Sequence, residues 1–112
     1  MGMKEYLFSY GTLQDGKVQL HLFGRILKGS YDALRGYKVS IIEIKDETFL
    51  SRGQEKFQKT LVISEGDDVV NGTALELTEA ELLVADKYEP ENYERVKVAL
   101  ESGKKAWIYV GF

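Results

Sequence analysis

The sequence predicts an α+β fold: a small, mixed, mostly antiparallel and barrel-like sheet with one main helix. Three observations predict it. Six or seven short apolar stretches, rich in β-branched and aromatic residues, recur between turn residues. Only one segment combines a capping signal with a sustained helical period. Eleven glycines against a single proline supply turns between many short elements, and a sheet so rich in turns can curl on itself. The 112 residues fit one domain, 1–112. An apolar share of 44% is enough to fill its core and too high for a disordered chain.

Taken in order, residues 5–10 read as an apolar, aromatic strand that runs directly into Tyr10-Gly11-Thr12-Leu13. Residues 17–23 have the length of one or two helical turns and meet Gly24, a helix-ending residue. Residues 26–31 and 37–44 read as strands. In the second, Val39/Ile41 and Ile42/Ile44 put apolar residues on both faces, which predicts a central strand. Residues 45–59 turn polar and predict a long excursion, either a lid or a solvated loop, anchored by Phe49, Leu50 and Phe57.

Residues 60–64 read as a strand, Glu65-Gly66-Asp67-Asp68 as a turn, and residues 69–77 as the next strand. Gly72 inside that strand marks a bulge or a close backbone approach. Residues 78–88 form the main helix. Thr78 and Glu81 have the spacing of a capping box, and Ala80, Leu83, Val84 and Tyr88 fall on one face. Residues 93–100 and 104–110 pair as a hairpin across Glu101-Ser102-Gly103.

Composition removes several kinds of chemistry. The chain has no cysteine, so disulfides, thiolate metal sites and a cysteine nucleophile are excluded. Its one histidine, His21, rules out a multi-histidine metal site, and its apolar surroundings predict a packed or rim residue. No metal and no cofactor is expected. A net charge of −3 is spread over mixed acidic and basic residues, without the concentrated basic face that nucleic acid requires. The first residues hold no uninterrupted apolar run, and no stretch reaches the ~18 apolar residues of a membrane span. We therefore expect a soluble, cytoplasmic protein that engages neither nucleic acid nor membrane.

Two stretches carry chemistry. In Tyr10-Gly11-Thr12-Leu13, Gly11 gives the backbone conformational freedom and lets a ligand come close. Backbone N–H groups there, with the Tyr10 and Thr12 hydroxyls, can converge on a carboxylate or a developing oxyanion. The bland alternative is a strand ending in a tight turn. The second stretch is Asp86-Lys87-Tyr88-Glu89-Pro90-Glu91-Asn92-Tyr93-Glu94-Arg95. Pro90 ends the helix at or before Glu89. Asp86 and Glu89 share a face at the negative end of the helix dipole. In a pocket, desolvation, the dipole and Asp86 would all raise the pKa of Glu89, which suits a general base near neutral pH. The alternative is a solvated, charged turn. Tyr93 and Arg95 alternate along a strand, as a pocket wall and an anion partner, or for Arg95 as an ordinary surface ion pair.

These stretches, with Leu34-Arg35-Gly36-Tyr37, Val70-Asn71-Gly72-Thr73-Ala74-Leu75-Glu76-Leu77 and Ala106-Trp107-Ile108-Tyr109-Val110, resemble in order and spacing the γ-glutamylcyclotransferase-like family, the avirulence-induced-gene-like group. The resemblance covers nearly the whole chain and implies a small barrel-like mixed sheet with helices. It also implies release of 5-oxoproline from a γ-glutamyl amine or γ-glutamyl amino acid. It assigns the acid–base role to Glu89 and γ-glutamyl binding to Tyr10, Gly11, Thr12 and Leu13. Pro90 is a departure, because many members have glycine after the glutamate. Such a substrate carries its own nucleophile, the α-amine, so positioning and one proton-transferring carboxylate suffice. The alternative is a non-catalytic module that binds a small carboxylate or amine metabolite in the same pocket.

Overall fold

The computed structural model describes residues 4–112. Seven strands and three helices follow one another: β1 (Glu5–Ser9), α1 (Gly16–Phe23), β2 (Gly29–Arg35), β3 (Tyr37–Glu43), α2 (Glu47–Leu50), β4 (Phe57–Ile63), β5 (Val69–Leu77), α3 (Glu79–Tyr88), β6 (Tyr93–Ala99) and β7 (Lys105–Gly111). A 3-10 turn, Thr12–Gln14, lies between β1 and α1. Five strands form one sheet in the order β2-β5-β1-β7-β6, and β3 and β4 form a separate two-stranded sheet. Every pair is antiparallel except β1 with β7. The hairpin closes the barrel-like enclosure by side-chain bonds rather than by a ladder. The Gly111 N–H donates to Thr60 Oγ1 at 2.7 Å, and the Tyr93 hydroxyl donates to the Lys59 carbonyl at 2.7 Å.

The strand buried on both faces is β1, not β3. Leu7 and Phe8 point to opposite faces and are each 1% exposed. Leu7 packs with Leu75, Leu77, Leu82 and Ala85 beneath the helices. Phe8 packs with Leu34, Leu61, Val70 and Ile108 on the other side. By contrast β3 pairs only with β4, and its Val39 and Ile41 stay exposed. Apolar residues on alternating positions predict a strand correctly, but the strand's neighbours decide whether both faces are covered.

Other expectations also need correction. The second strand starts and ends later than residues 26–31, because its ladder with β5 runs from Gly29 opposite Leu75 to Arg35 opposite Val69. The excursion 45–59 is shorter than its polarity suggests. It contains α2, capped by Asp46, and its last three residues already belong to β4. Of its three predicted anchors only Phe49 is buried; Phe57 is exposed and Leu50 half-buried. His21 is exposed on the last turn of α1.

The main helix has the predicted capping box, with Thr78 Oγ1 accepting from the Glu81 N–H and Glu81 accepting from the Thr78 N–H. Its buried face, however, is Leu82 and Ala85, while Ala80, Leu83 and Val84 face outward. This rotation matters, because Asp86 and Glu89 continue the line of Leu82 and Ala85 at i+3 and i+4 spacing and therefore point inward. Gly72 makes a close approach, not a bulge. A Cβ there would collide with the Ser9 carbonyl oxygen and lie 2.8 Å from the Phe8 ring.

Topology then positions the site. β5 runs antiparallel to β1, so its end at Leu77 lies beside Glu5, the start of β1. Ten residues of α3 rise about 15 Å, the length of the five-residue β1. The helix therefore carries the chain back to the level where β1 ends, and Glu89 arrives beside Tyr10.

Candidate active site

The loop after β1 is built by local bonds. The Gln14 and Asp15 N–H groups donate to the Gly11 and Thr12 carbonyls at 3.2 and 3.0 Å. The first N–H groups of such a turn have no partner within it, which makes those of Thr12 and Leu13 candidate donors to a ligand. Gln19, buried on α1, fixes the loop from behind. Its Nε2 donates to the Leu13 carbonyl at 2.8 Å and its Oε1 accepts from the Leu27 N–H at 2.8 Å. Gly11 has φ −141 and open space where a Cβ would stand. Its contribution is room on the cavity side rather than an unusual backbone.

Glu89 is the C-cap of α3, with its N–H bonded to the Ala85 carbonyl and extended dihedrals ahead of Pro90. The excursion secures this turn. Asp46 Oδ2 accepts from the Glu91 N–H at 2.9 Å, and the Arg52 guanidinium donates to the Tyr88 carbonyl at 3.1 Å. Burial pushes the Glu89 carboxyl up to about 7, and the neighbouring Asp86 adds to the shift. The negative end of the α3 dipole acts in the same direction. At neutral pH this group is therefore divided between its acid and its base forms.

Tyr10, Gly11, Thr12, Leu13, Glu89 and Tyr93 all line one cavity of about 520 Å³, closed on its far side by the end of the β3–β4 hairpin. The Tyr10 hydroxyl donates to the Tyr109 carbonyl at 2.8 Å, and burial, followed by Tyr93 and Glu89, pushes it above its ordinary range. Burial and Glu89 push Tyr93 up to about 12. Both phenols are therefore protonated at neutral pH, and each already spends its proton on a backbone carbonyl.

Arg95 does not join this cavity. Its guanidinium grips Asp86 with two bonds, Nε to Oδ1 at 2.8 Å and Nη2 to Oδ2 at 3.1 Å, and lies 4.3 Å from the Trp107 ring centroid. A cation held by a bidentate carboxylate and an aromatic face is committed within the protein, so the expected anion-partner role is replaced by a structural one. Tyr109 donates its hydroxyl to the same Asp86 oxygen at 2.6 Å. Asp86, Tyr109 and Tyr10 thus link α3 across β7 to the loop after β1.

Sequence reasoning missed Gln19, Asp46 and Tyr109. The signal for Gln19 was a polar residue three and four positions before Leu22 and Phe23, on an otherwise apolar helical face. Asp46, placed in a polar excursion, caps α2 and also accepts from the Glu91 N–H. Among the described residues, no group of three or more His, Cys, Asp or Glu gathers as metal ligands, and no helix is long and apolar enough to cross a membrane.

The chain is a mixed α+β fold in which the loop after the central strand of the five-stranded sheet shares a cavity with Glu89. The chain belongs to the family described as "Gamma-glutamyl cyclotransferase, AIG2-like", whose model matches residues 7–111. Solved structures share the fold at low identity. A solution structure from Arabidopsis thaliana matches with a TM-score of 0.70 and 23% identity, over 99% of this chain and 64% of its own. A second from the same plant matches with 0.75 and 23%, over 97% and 69%. A structure named "Gamma-glutamyl cyclotransferase" matches with 0.72 and 17%, over 98% and 68%. The chain thus spans about two thirds of the length of these proteins. No curated protein sequence matches it.

Proposed function

We propose that the protein cyclises a γ-glutamyl amine or γ-glutamyl amino acid to 5-oxoproline and releases the amine, with Glu89 as general acid–base. The observation that carries this reading is the placement of the Glu89 carboxyl, its pKa raised to about 7, in the same cavity as Tyr10, Gly11, Thr12 and Leu13. The ionised carboxylate takes a proton from the substrate α-ammonium. The freed amine nitrogen attacks the γ-carbonyl carbon, and a new C–N bond closes the five-membered ring. The old amide C–N bond breaks as the protonated Glu89 gives its proton to the leaving nitrogen. The second proton of the attacking nitrogen passes through the regenerated carboxylate to solvent or to the released amine, which leaves the neutral lactam. A group poised near neutrality serves both transfers.

The loop of residues 10–13 is the substrate-holding half. Its N–H donors bind the α-carboxylate or the oxyanion of the tetrahedral intermediate, and Tyr93 forms the wall beside Glu89. Folding the substrate back on itself converts positioning directly into rate.

The test is 5-oxoproline release from a panel of γ-glutamyl amides, comparing wild type with Glu89→Gln. Loss of release with retained substrate binding is the expected result. Activity that survives the substitution removes Glu89 from the role. Saturable binding without turnover by the wild type identifies a metabolite-binding module instead.

A further inference from the structure

The cavity is larger than a γ-glutamyl group needs, and its two ends differ in character. One end carries Glu89 and the backbone donors of residues 10–13. The other is formed by the hairpin, where Ile41 and Phe57 line the wall while remaining 61% and 59% exposed. Their positions are linked through the ladder. Ile41 pairs with Lys59 and Glu43 with Phe57, so Ile41 and Phe57 are diagonal neighbours on one face of the hairpin. Two large apolar side chains thus line the same space, as the walls of small-molecule sites do.

The charges around them do not form a receptor for a second carboxylate. Lys59 and Glu55 line this end with opposite signs. Lys56, which lies 5.4 Å from the Phe57 ring centroid, is ion-paired with Glu43 at 3.6 Å. Arg52 is bonded to the Tyr88 carbonyl. Arg52 and Lys56 are thus occupied and Lys59 shares this end with Glu55, while the apolar surface of Ile41 and Phe57 is left exposed.

We propose that Ile41 and Phe57 form the leaving-group subsite, and that it selects γ-glutamyl amides whose amine carries a bulky apolar substituent, aromatic or branched, and no carboxylate. The inference rests on the cyclisation reading, because the scissile amide must lie at Glu89 for its leaving side to face the hairpin. The α-amine then closes the ring at one end of the cavity, and an amine bearing the apolar group departs from the other.

The experiment compares kcat/KM for γ-glutamyl-phenethylamide and γ-glutamyl-isoamylamide with that for γ-glutamylglycine and γ-glutamylglutamate, by 5-oxoproline release. The apolar amides are expected to lead by roughly 10- to 100-fold, the scale of apolar discrimination in a pocket. The ratio should collapse in Phe57→Ser and in Ile41→Ser, and recover in Phe57→Leu. Equal turnover of all four, a preference for the acidic leaving group, or a ratio unmoved by both serine variants overturns the subsite.

Calorimetric binding of the same amides to Glu89→Gln separates the two ideas. If no amide yields 5-oxoproline, the cyclisation reading fails. The subsite still stands if the phenethylamide binds more tightly than γ-glutamylglycine and Phe57→Ser erases that difference. It falls if the two bind alike.

Discussion

Replacing Glu89 with glutamine should stabilise the fold in alkali and leave it unchanged in acid. Burial as the main cause, and Asp86 as the second, push the carboxyl up to about 7 in the folded protein from an ordinary value of about 4.5. Below the unfolded value the group is protonated in both states and contributes no difference. Between about 4.5 and 7 the native state holds more protons than the unfolded chain, so stability falls as pH rises through this window. Each unit of separation is worth about 1.4 kcal/mol. The full penalty at pH 8.5 is therefore roughly 3 kcal/mol, reduced toward 2 by water reaching the open cavity. Glutamine cannot ionise and escapes that penalty.

At several degrees per kcal/mol for a domain of this size, Glu89→Gln should melt on the order of 10 °C higher at pH 8.5. At pH 4 the two proteins should melt together. Carboxylates held below their ordinary range, such as Glu81 by its bond to Arg25, weaken both proteins alike in acid, so the difference between them isolates Glu89. Urea titrations of both proteins at the two pH values provide the assay. A difference that is the same at both pH values, or a wild type more stable than the variant in alkali, would falsify the assignment of a buried, raised carboxyl.

Asp86→Asn removes the second cause of that shift, so the acid limb of the kcat/KM profile for 5-oxoproline release should move to lower pH; an unmoved limb removes Asp86 as a tuning group. Gln19→Leu leaves the Leu13 carbonyl and the Leu27 N–H without their bonds. It should cost about 1–3 kcal/mol per unsatisfied group and raise KM as the loop loosens, measured by thermal melts and steady-state kinetics. Gly72→Ala drives a methyl group into the Ser9 carbonyl and the Phe8 ring. Overpacking of this kind destabilises by about 1–3 kcal/mol, and a melting temperature equal to that of the wild type refutes the close approach.

Much of the local structure was legible because its causes are local. Alternation and β-branching place β5 at Val69–Leu77, the residues predicted for it. Thr78 and Glu81 announce the start of α3 through bonds made within one turn, and Pro90 announces its end through a missing N–H and a restricted neighbour. Glu89 and the loop of residues 10–13 stood out as candidates for the same reason, each being a short run of residue types with its own physical consequence, while the roles proposed for them came from the family resemblance.

What the sequence left undecided concerns contacts between distant segments. The period of α3 points to a face through Ala80, Leu83, Val84 and Tyr88, but packing against the Leu7 core buries Leu82 and Ala85 instead. That choice turns Asp86 and Glu89 inward. Alternation made β3 look central, but the sheet order gives that place to β1, whose Leu7 and Phe8 meet two separate cores. Arg95 is a cation in any reading of the chain, and only the tertiary structure pairs it with Asp86 over Trp107.

By itself the sequence determined most of the strands, the cap of α3 and the candidate titratable groups, because propensity, capping and ionisation are properties of a residue and its near neighbours. The tertiary structure decided which of those groups share a cavity, which are neutralised before a ligand arrives, and how far Glu89 is shifted. Those quantities depend on distance and desolvation, and both arise only when remote parts of the chain meet.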